Sequence, residues 1–260
     1  MKRWLLALSL ILVAPAARAE EDHFKAGSDA LAAGKFDEAI DHFEAHADRE
    51  PSHPDVSYNR GLAYVMRVRG GAERPGDLGR AAAAFEESLL MRPGDDEAQH
   101  ALELVQGEVA RRRARRGEDS VLARPSLDRV VVRLATERTW GIIAIMSAFF
   151  LACAVLLRRK PPGPVHLAGT LLLPASLLVL VLVLPLYHGA RYLRLNKQSG
   201  VLVVREAHLS DESGVSKGGA PLPEAALLEV GERSGRLVHV RYGSLEGWVP
   251  AGAVRILRSR

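Results

Sequence analysis

The chain has 260 residues, of which 48% are hydrophobic and 25% are charged, and its formal net charge is +4. This charge does not indicate a nucleic-acid partner. Residues 20–107 carry nineteen acids and nine bases, whereas residues 108–138 carry nine arginines and five acids, so the best-folded segment would repel a polyanion. Apolar residues concentrate near 4–17, 139–157 and 165–187, a layout typical of a membrane protein with small soluble parts.

The N-terminus has the pattern of a Sec-type signal peptide. Lys2 and Arg3 precede the apolar run 4–13, and the small-x-small tripeptide 17–19 follows it. We expect a signal peptide over 1–19 with cleavage after Ala19, because the apolar run is short for a membrane span. The alternative is an uncleaved anchor helix.

An internal repeat follows over 20–110. Gly27 and Gly61 are thirty-four residues apart, which is the period of tetratricopeptide repeats. In the first unit, small residues let two helices approach, aromatic residues fill the groove between them, and a proline ends the second helix. Its signature residues are Gly27, Gly34, Phe36, Ala39, Phe43 and Pro51.

The second unit matches the same positions if about eight residues, 68–75, are inserted between its helices. Its signature residues are Gly61, Tyr64, Gly76, Ala81, Phe85 and Pro93. Asp95 is then placed to cap a further helix through Ala110. Two repeats and one capping helix fall short of the usual three, so we expect this domain to need self-association or a partner for stability.

Residues 111–138 form a basic linker, and two apolar blocks come after it. Residues 139–157 and 165–187 are each long enough to cross a bilayer, and the basic turn 158–164 joins them. The positive-inside tendency favours a cytoplasmic turn. The outer flanks are equally basic, so the export signal decides our expectation: an inner-membrane protein with two spans and both soluble domains in the periplasm.

The segment 198–260 changes to short β-prone runs separated by glycine-rich turns. Val238, Val240 and Tyr242 alternate with polar residues, which indicates a strand with one buried face. The run as a whole resembles the bacterial SH3-like domain, and its matching residues are Val204, Arg205, Gly247, Trp248 and Val249. The resemblance implies a small all-β barrel, in which Trp248 is expected in the core rather than on a ligand surface.

The order of these modules resembles the BatE proteins of the Bacteroides aerotolerance (Bat) operons over nearly the whole chain. The resemblance implies a multidomain membrane protein with α-helical tetratricopeptide repeats, a two-helix transmembrane hairpin and an SH3-like barrel. It also implies envelope partners, namely membrane proteins with von Willebrand factor A domains and a MoxR-type ATPase, in stress tolerance. None of these partners follows from the residues themselves.

Two functions are compatible with these modules. The first is a non-enzymatic adaptor or scaffold whose repeats bind a neighbouring envelope protein. The second is a cell-wall sensor whose SH3-like domain binds peptidoglycan. An enzyme is less favoured, because the chain has no phosphate loop, G-x-S-x-G or H-E-x-x-H motif. We expect no cofactor and no metal; His42 and His46 have metal-ligand spacing but no third ligand.

Overall fold

The structure is a computed structural model that describes residues 23–49, 53–118, 137–196 and 198–257. The expected signal peptide, Pro51 and most of the basic linker lie outside these residues. The chain divides into two compact units, one containing residues up to 124 together with 199–260, and the other containing 125–198. We call the first the repeat–sheet unit and the second the hairpin unit.

The repeat–sheet unit begins with five helices in chain order. They are α1 (23–32), α2 (Phe36–Arg49), α3 (Pro54–Arg69), α4 (Asp77–Met91) and α5 (Asp96–Arg115). The connection between α3 and α4 is longer than that between α1 and α2, and α3 continues through two of the residues that the sequence assigns to the insertion. Helix α5 extends to Arg115, so the first residues of the expected basic linker are helical.

The two helical hairpins pack in the same way because each brings a glycine against an aromatic ring. A Cβ atom placed on Gly27 would lie 2.7 Å from the ring of Phe43, and one on Gly61 would lie 2.6 Å from the ring of Phe85. Both rings are fully buried. The missing side chain therefore lets the first helix of each hairpin approach the second, which is the close helix contact that the repeat spacing requires.

Helix α5 covers the open side of the second hairpin. The Asp95 carboxylate accepts hydrogen bonds from the backbone N–H groups of Glu97 and Ala98, both at 3.1 Å, and so caps the helix. Ala98, Leu102 and Val105 are buried in the cluster that holds the two hairpins together. This helix thus adds one more layer to the array.

The C-terminal segment forms an antiparallel sheet. Its strands are β1 (Gln198–Leu202), β2 (Glu206–Ala207), β3 (Leu222–Pro223), β4 (Leu227–Ser234), β5 (Leu237–Tyr242), β6 (Leu245–Pro250) and β7 (Val254–Ile256). Five strands form one sheet in the order β6-β5-β4-β1-β7, while β2 and β3 pair separately. No pairing joins β6 to β7 among these strands, so what the described residues show is an open sheet rather than a closed barrel.

This sheet packs on the repeat helices. Val201, Val203 and Leu257 belong to the same buried apolar cluster as residues of α2, α3 and α4. The backbone N–H of Gly79 donates a hydrogen bond of 2.9 Å to the Glu224 carboxylate, and a Cβ on Gly79 would lie 2.8 Å from the Val203 backbone. The segments that precede and follow the apolar hairpin therefore share one core. From the sequence we expected separate domains over 20–110 and 198–260.

The hairpin unit consists of α6 (Glu137–Arg158) and α7 (Pro164–Asn196). Both helices are long and apolar enough to span a membrane, and α7 continues through Pro174 and Pro185. The two pack closely, since a Cβ on Gly169 would lie 2.9 Å from the carbonyl oxygen of Ala154. Large apolar side chains such as Ile145 and Leu171 lie on the exposed surface, as expected for contact with lipid.

Substituting Gly61 tests the packing of the second hairpin. In Gly61→Ala the new methyl group overlaps the buried Phe85 ring, so we expect the free energy of unfolding to fall by about 1–3 kcal/mol. In Gly107→Ala, the control on α5, the new Cβ meets only the flexible end of Arg111 at 3.5 Å, and helix propensity should stabilise the protein by about 0.5–1 kcal/mol. Denaturant unfolding followed by circular dichroism measures both, and equal effects would contradict this packing.

Candidate functional site: a groove between helices α3 and α5

The repeat signature residues mostly build the helix pairs rather than an accessible surface. Ala39, Phe43, Tyr64, Ala81 and Phe85 are all buried. Gly34 has φ +72° in the turn between α1 and α2, and Pro93 lies in the turn after α4. These residues position the outer faces of the helices, and binding chemistry has to come from the side chains on those faces.

One such face forms a groove of about 560 Å³ between α3 and α5. Met66 is 36% exposed and Leu104 is 45% exposed, although both are large apolar side chains. Helix α4 supplies Phe85 and Leu78 below them. The apolar residues that line the groove are Tyr58, Leu62, Val65, Met66, Val68, Leu78, Phe85, Ala101, Leu104 and Val105.

The two helices that border the groove run in the same direction. Their N-terminal ends are joined by Arg92, whose guanidinium lies 2.9 Å from Asp55 and 3.4 Å from Asp95. At the other end, Arg112 of α5 forms an ion pair of 2.6 Å with Glu73, just beyond α3. Parallel first helices on one side of the array are the arrangement that produces a continuous binding surface in helical repeats.

Charge differs between the two ends of the groove. Glu97 lies at the end where the helices begin, and there burial, followed by the charges of Glu97 and Asp95, raises the pKa of Tyr58. Arg69, Arg111 and Arg112 lie at the opposite end, where Glu108 pairs with Arg111 at 2.9 Å and with Arg112 at 2.8 Å. Arg69 has no ion-pair partner within 4 Å among the described residues. An apolar floor between an acidic and a basic end suits an amphipathic peptide or helix of opposite polarity.

The opposite side of the array is occupied by the C-terminal sheet and contains a buried ionic network. Arg255 of β7 reaches Glu44 of α2 at 3.1 Å and Glu87 of α4 at 3.5 Å. Arg60 of α3 pairs with the same two glutamates, and the Tyr64 hydroxyl donates a hydrogen bond of 2.9 Å to Glu44. Two arginines and two glutamates thus alternate at the contact between sheet and helices.

These charges determine the pKa of Glu44. Burial alone would raise it, but the guanidinium groups of Arg60 and Arg255, together with the Tyr64 hydroxyl, outweigh burial and hold the pKa of Glu44 below its usual range. Burial and the Glu44 charge raise the pKa of Tyr64 strongly, so its hydroxyl stays protonated as a donor. The network is therefore complete only when Glu44 is ionised.

The SH3-like signature residues are divided between the two faces of the sheet. Gly247 and Val249 are buried, whereas Trp248 is half-buried on the other face. Trp248 stands opposite His239 on β5, and their rings meet edge to face with centroids 5.3 Å apart. Val204 is half-buried and Arg205 is exposed. We expected Trp248 in the core, but in the structure its neighbour Val249 is buried and Trp248 lies on the other face.

The two histidines with metal-ligand spacing lie in different surroundings. The Nδ1 atom of His42 lies 3.4 Å from that of His23 on α1, while His46 is buried. No group of three or more metal-ligating side chains occurs in the part of the chain that the structure describes.

The groove and the ionic network were not identified from the sequence. A signal for the groove exists in the helical spacing of Tyr58, Leu62, Val65 and Arg69 on α3 and of Glu97, Ala101, Leu104 and Glu108 on α5. No comparable signal exists for the network, because Arg255 and Glu44 are 211 residues apart in the chain. Local patterns cannot reveal such a contact.

Comparison with known proteins supports the helical part of this description. The paired helices, with a glycine–aromatic contact in each pair, form a helical-repeat region. Residues 24–98 match the family model of the tetratricopeptide repeat, which covers α1 to the start of α5. No curated protein and no solved structure matches the chain significantly. The chain therefore contains a tetratricopeptide-repeat region, and such repeats are typically protein-interaction modules.

Replacing Glu44 by Gln tests the network and its pH dependence. The substitution leaves Arg60 and Arg255 with one carboxylate fewer, so the free energy of unfolding at neutral pH should fall by about 1–3 kcal/mol. Because the pKa of Glu44 is lower in the folded than in the unfolded state, its stabilisation is present above the unfolded-state pKa. It is lost as the pH falls through the folded-state pKa.

The measurement is unfolding of the detergent-solubilised protein over an acidic to neutral pH series. Glu44→Gln should approach the unsubstituted protein in stability as the pH decreases. Glu38→Gln on the same helix is the control, since its pair with Lys35 is exposed and contributes at most about 1 kcal/mol. A constant difference between Glu44→Gln and the unsubstituted protein at every pH would show that the ionised network does not stabilise this contact.

Proposed function

We propose that this protein is a non-enzymatic, membrane-anchored adaptor of the bacterial cell envelope. The groove between α3 and α5 holds an amphipathic peptide or helix of a neighbouring envelope protein, and the hairpin fixes the complex at the inner membrane. The observation that carries the proposal is the exposed apolar floor, with Met66 and Leu104 at its surface. The opposite side of the helices is covered by the sheet, whereas this apolar surface is exposed and can bind a ligand.

The two ends of the groove define the polarity of the ligand. Glu97 favours a basic residue at one end of the bound segment, and Arg69 favours an acidic residue at the other. The apolar stripe between them provides the binding free energy. The resemblance to BatE-like proteins suggests where such a segment is found, namely in membrane proteins with von Willebrand factor A domains that work with a MoxR-type ATPase.

The pairing of the repeat helices and the sheet in one unit also supports a location for the protein. A unit that contains both 23–118 and 199–257 requires both segments on one side of the membrane, and two spans between them satisfy this requirement. The expected signal peptide would place that side in the periplasm, with the turn near Arg158 in the cytoplasm. The sheet in this unit would be an SH3-like domain by the resemblance of its sequence.

Charged substitutions in the groove test the adaptor. A photo-cross-linking amino acid at Leu62 should form a covalent adduct with the partner in intact cells, because this side chain lines the groove. Adding Met66→Glu and Leu104→Glu places two carboxylates on the apolar floor, so the amount of adduct should decrease about 30-fold.

The control is Leu245→Glu, which places a carboxylate at an equally exposed leucine of the sheet, outside the groove. It should leave the adduct unchanged, and circular dichroism should show the same helix content for all variants. An adduct that survives the two groove substitutions would rule out this groove as the binding surface.

A cell-wall sensor is the second candidate, and the position of Trp248 favours it. A half-buried tryptophan beside His239 on the outer face of a sheet resembles the aromatic surfaces on which sugar rings stack. The detergent-solubilised protein should then sediment with purified peptidoglycan, and Trp248→Ala should weaken this binding about tenfold. Leu245→Ala in the same hairpin serves as control. No sedimentation, or equal sedimentation of Trp248→Ala, would exclude this function.

A further inference from the structure

A second pocket, of about 230 Å³, lies between the end of α5 and the segment that follows β1. Its lining is unusual in composition, since five of the seven side chains are arginines. The side chains are Val109, Arg112, Arg113, Arg115, Arg116, Arg205 and Glu224. Four of the arginines come from the end of α5 and its C-cap and the fifth from the C-terminal segment, so the pocket forms only because both segments belong to one unit.

The charges of these arginines are only partly compensated. Arg112 pairs with Glu73 at 2.6 Å and with Glu108 at 2.8 Å. The Glu118 carboxylate forms ion pairs with both Arg113, at 3.0 Å, and Arg116, at 2.6 Å.

Arg115 and Arg205 differ from the others, because within the described ranges neither has an acidic group within 4 Å. Glu224, the acid in the pocket lining, accepts a hydrogen bond from the backbone of Gly79 at 2.9 Å. Two exposed guanidinium groups from different parts of the chain therefore line the same cavity, and among the described residues neither forms an ion pair within 4 Å.

Guanidinium groups in this arrangement bind phosphate. Each is planar, stays charged, and can donate two parallel hydrogen bonds to a phosphate oxygen pair, and two of them on opposite walls match one phosphate. The cavity has about eight times the volume of a water molecule, enough for a phosphate and part of its substituent.

The position of these residues in the sequence favours a lipid as the source of the phosphate. Helix α5 is the last described helix before the first apolar span, and Arg205 follows Asn196, the final residue of α7, by nine positions. Segments next to membrane spans encounter the headgroups of anionic phospholipids, which attract basic side chains. We propose that this pocket binds the phosphate of an anionic phospholipid headgroup and that Arg115 and Arg205 are its principal ligands.

The experiment uses the full-length protein in a neutral detergent. Phosphatidylglycerol is titrated into the micelles, with phosphatidylcholine as the zwitterionic reference, and inorganic phosphate is titrated separately. The thermal unfolding midpoint of the repeat–sheet unit is followed in each titration. Phosphatidylglycerol should raise this midpoint, whereas phosphatidylcholine should not.

The matched variants separate this pocket from other basic sites. The double variant Arg115→Gln, Arg205→Gln should need about 30-fold more phosphatidylglycerol for half of the maximal rise. Arg233→Gln, Arg236→Gln removes two positive charges beside the turn between β4 and β5, outside the pocket, and should behave as the unsubstituted protein. Circular dichroism in the absence of lipid verifies that both double variants fold.

Each outcome decides the proposal. A rise with phosphatidylglycerol that depends on Arg115 and Arg205, with little effect of inorganic phosphate, supports a lipid headgroup. An equal rise of the midpoint with inorganic phosphate that also depends on Arg115 and Arg205 supports the phosphate site. It overturns a lipid as the source of the phosphate. No rise, or a rise that is the same in both double variants, overturns the pocket as a binding site. None of these results depends on whether the groove between α3 and α5 binds a protein.

Discussion

The contact between the C-terminal sheet and the repeat helices is the interaction on which the rest of this structure depends. Its apolar part buries Val201, Val203 and Leu257 among the helices, and removing this apolar surface from water stabilises the contact. Its polar part is the network in which Arg60 and Arg255 alternate with Glu44 and Glu87. These ion pairs fix which surface of the sheet contacts which helices. Removing any one of these four would leave its two neighbours in the network with one ion-pair partner fewer at a partly buried contact.

This contact also explains how so short a repeat array can be stable. Two repeats and a capping helix leave one side of the array without a neighbour, and from the sequence we expected self-association or a partner to cover it. Within the described residues, the sheet of the same chain packs on that side. The closeness of Gly79 to the Val203 backbone shows that the two surfaces match in shape. The groove between α3 and α5 remains exposed because the sheet lies elsewhere.

The sequence predicts what is local in this protein. The spacing of Gly27 and Gly61 predicts the helix pairs because their contacts with Phe43 and Phe85 recur within each repeat. Alternation predicts strand β5, and uninterrupted apolar length predicts α6 and α7. Helix α7 nevertheless extends beyond the predicted span to Asn196, since a helix does not end where its run of apolar residues ends.

What the sequence does not predict depends on distant contacts. Glu224 bonds to a residue 145 positions away, and nothing near Glu224 in the chain marks it as a partner of α4. Trp248 was also expected in the core, whereas it lies half-buried on the other face of the sheet. The face on which a strand residue lies depends on the register of β6 against β5 and not on residue type. The arginine pocket becomes visible only after the two segments that flank the apolar hairpin are placed in one unit, whereas the groove is built from α3, α4 and α5 alone.

The central claim of this account is that the segments on either side of the membrane hairpin fold together in one compartment. Topology reporters fused after residues 120, 160 and 260 test it most directly. We predict an extracytoplasmic signal at 120 and at 260 and a cytoplasmic signal at 160. Signals from opposite sides of the membrane at 120 and 260 would contradict it, since the sheet could not then pack on the repeat helices.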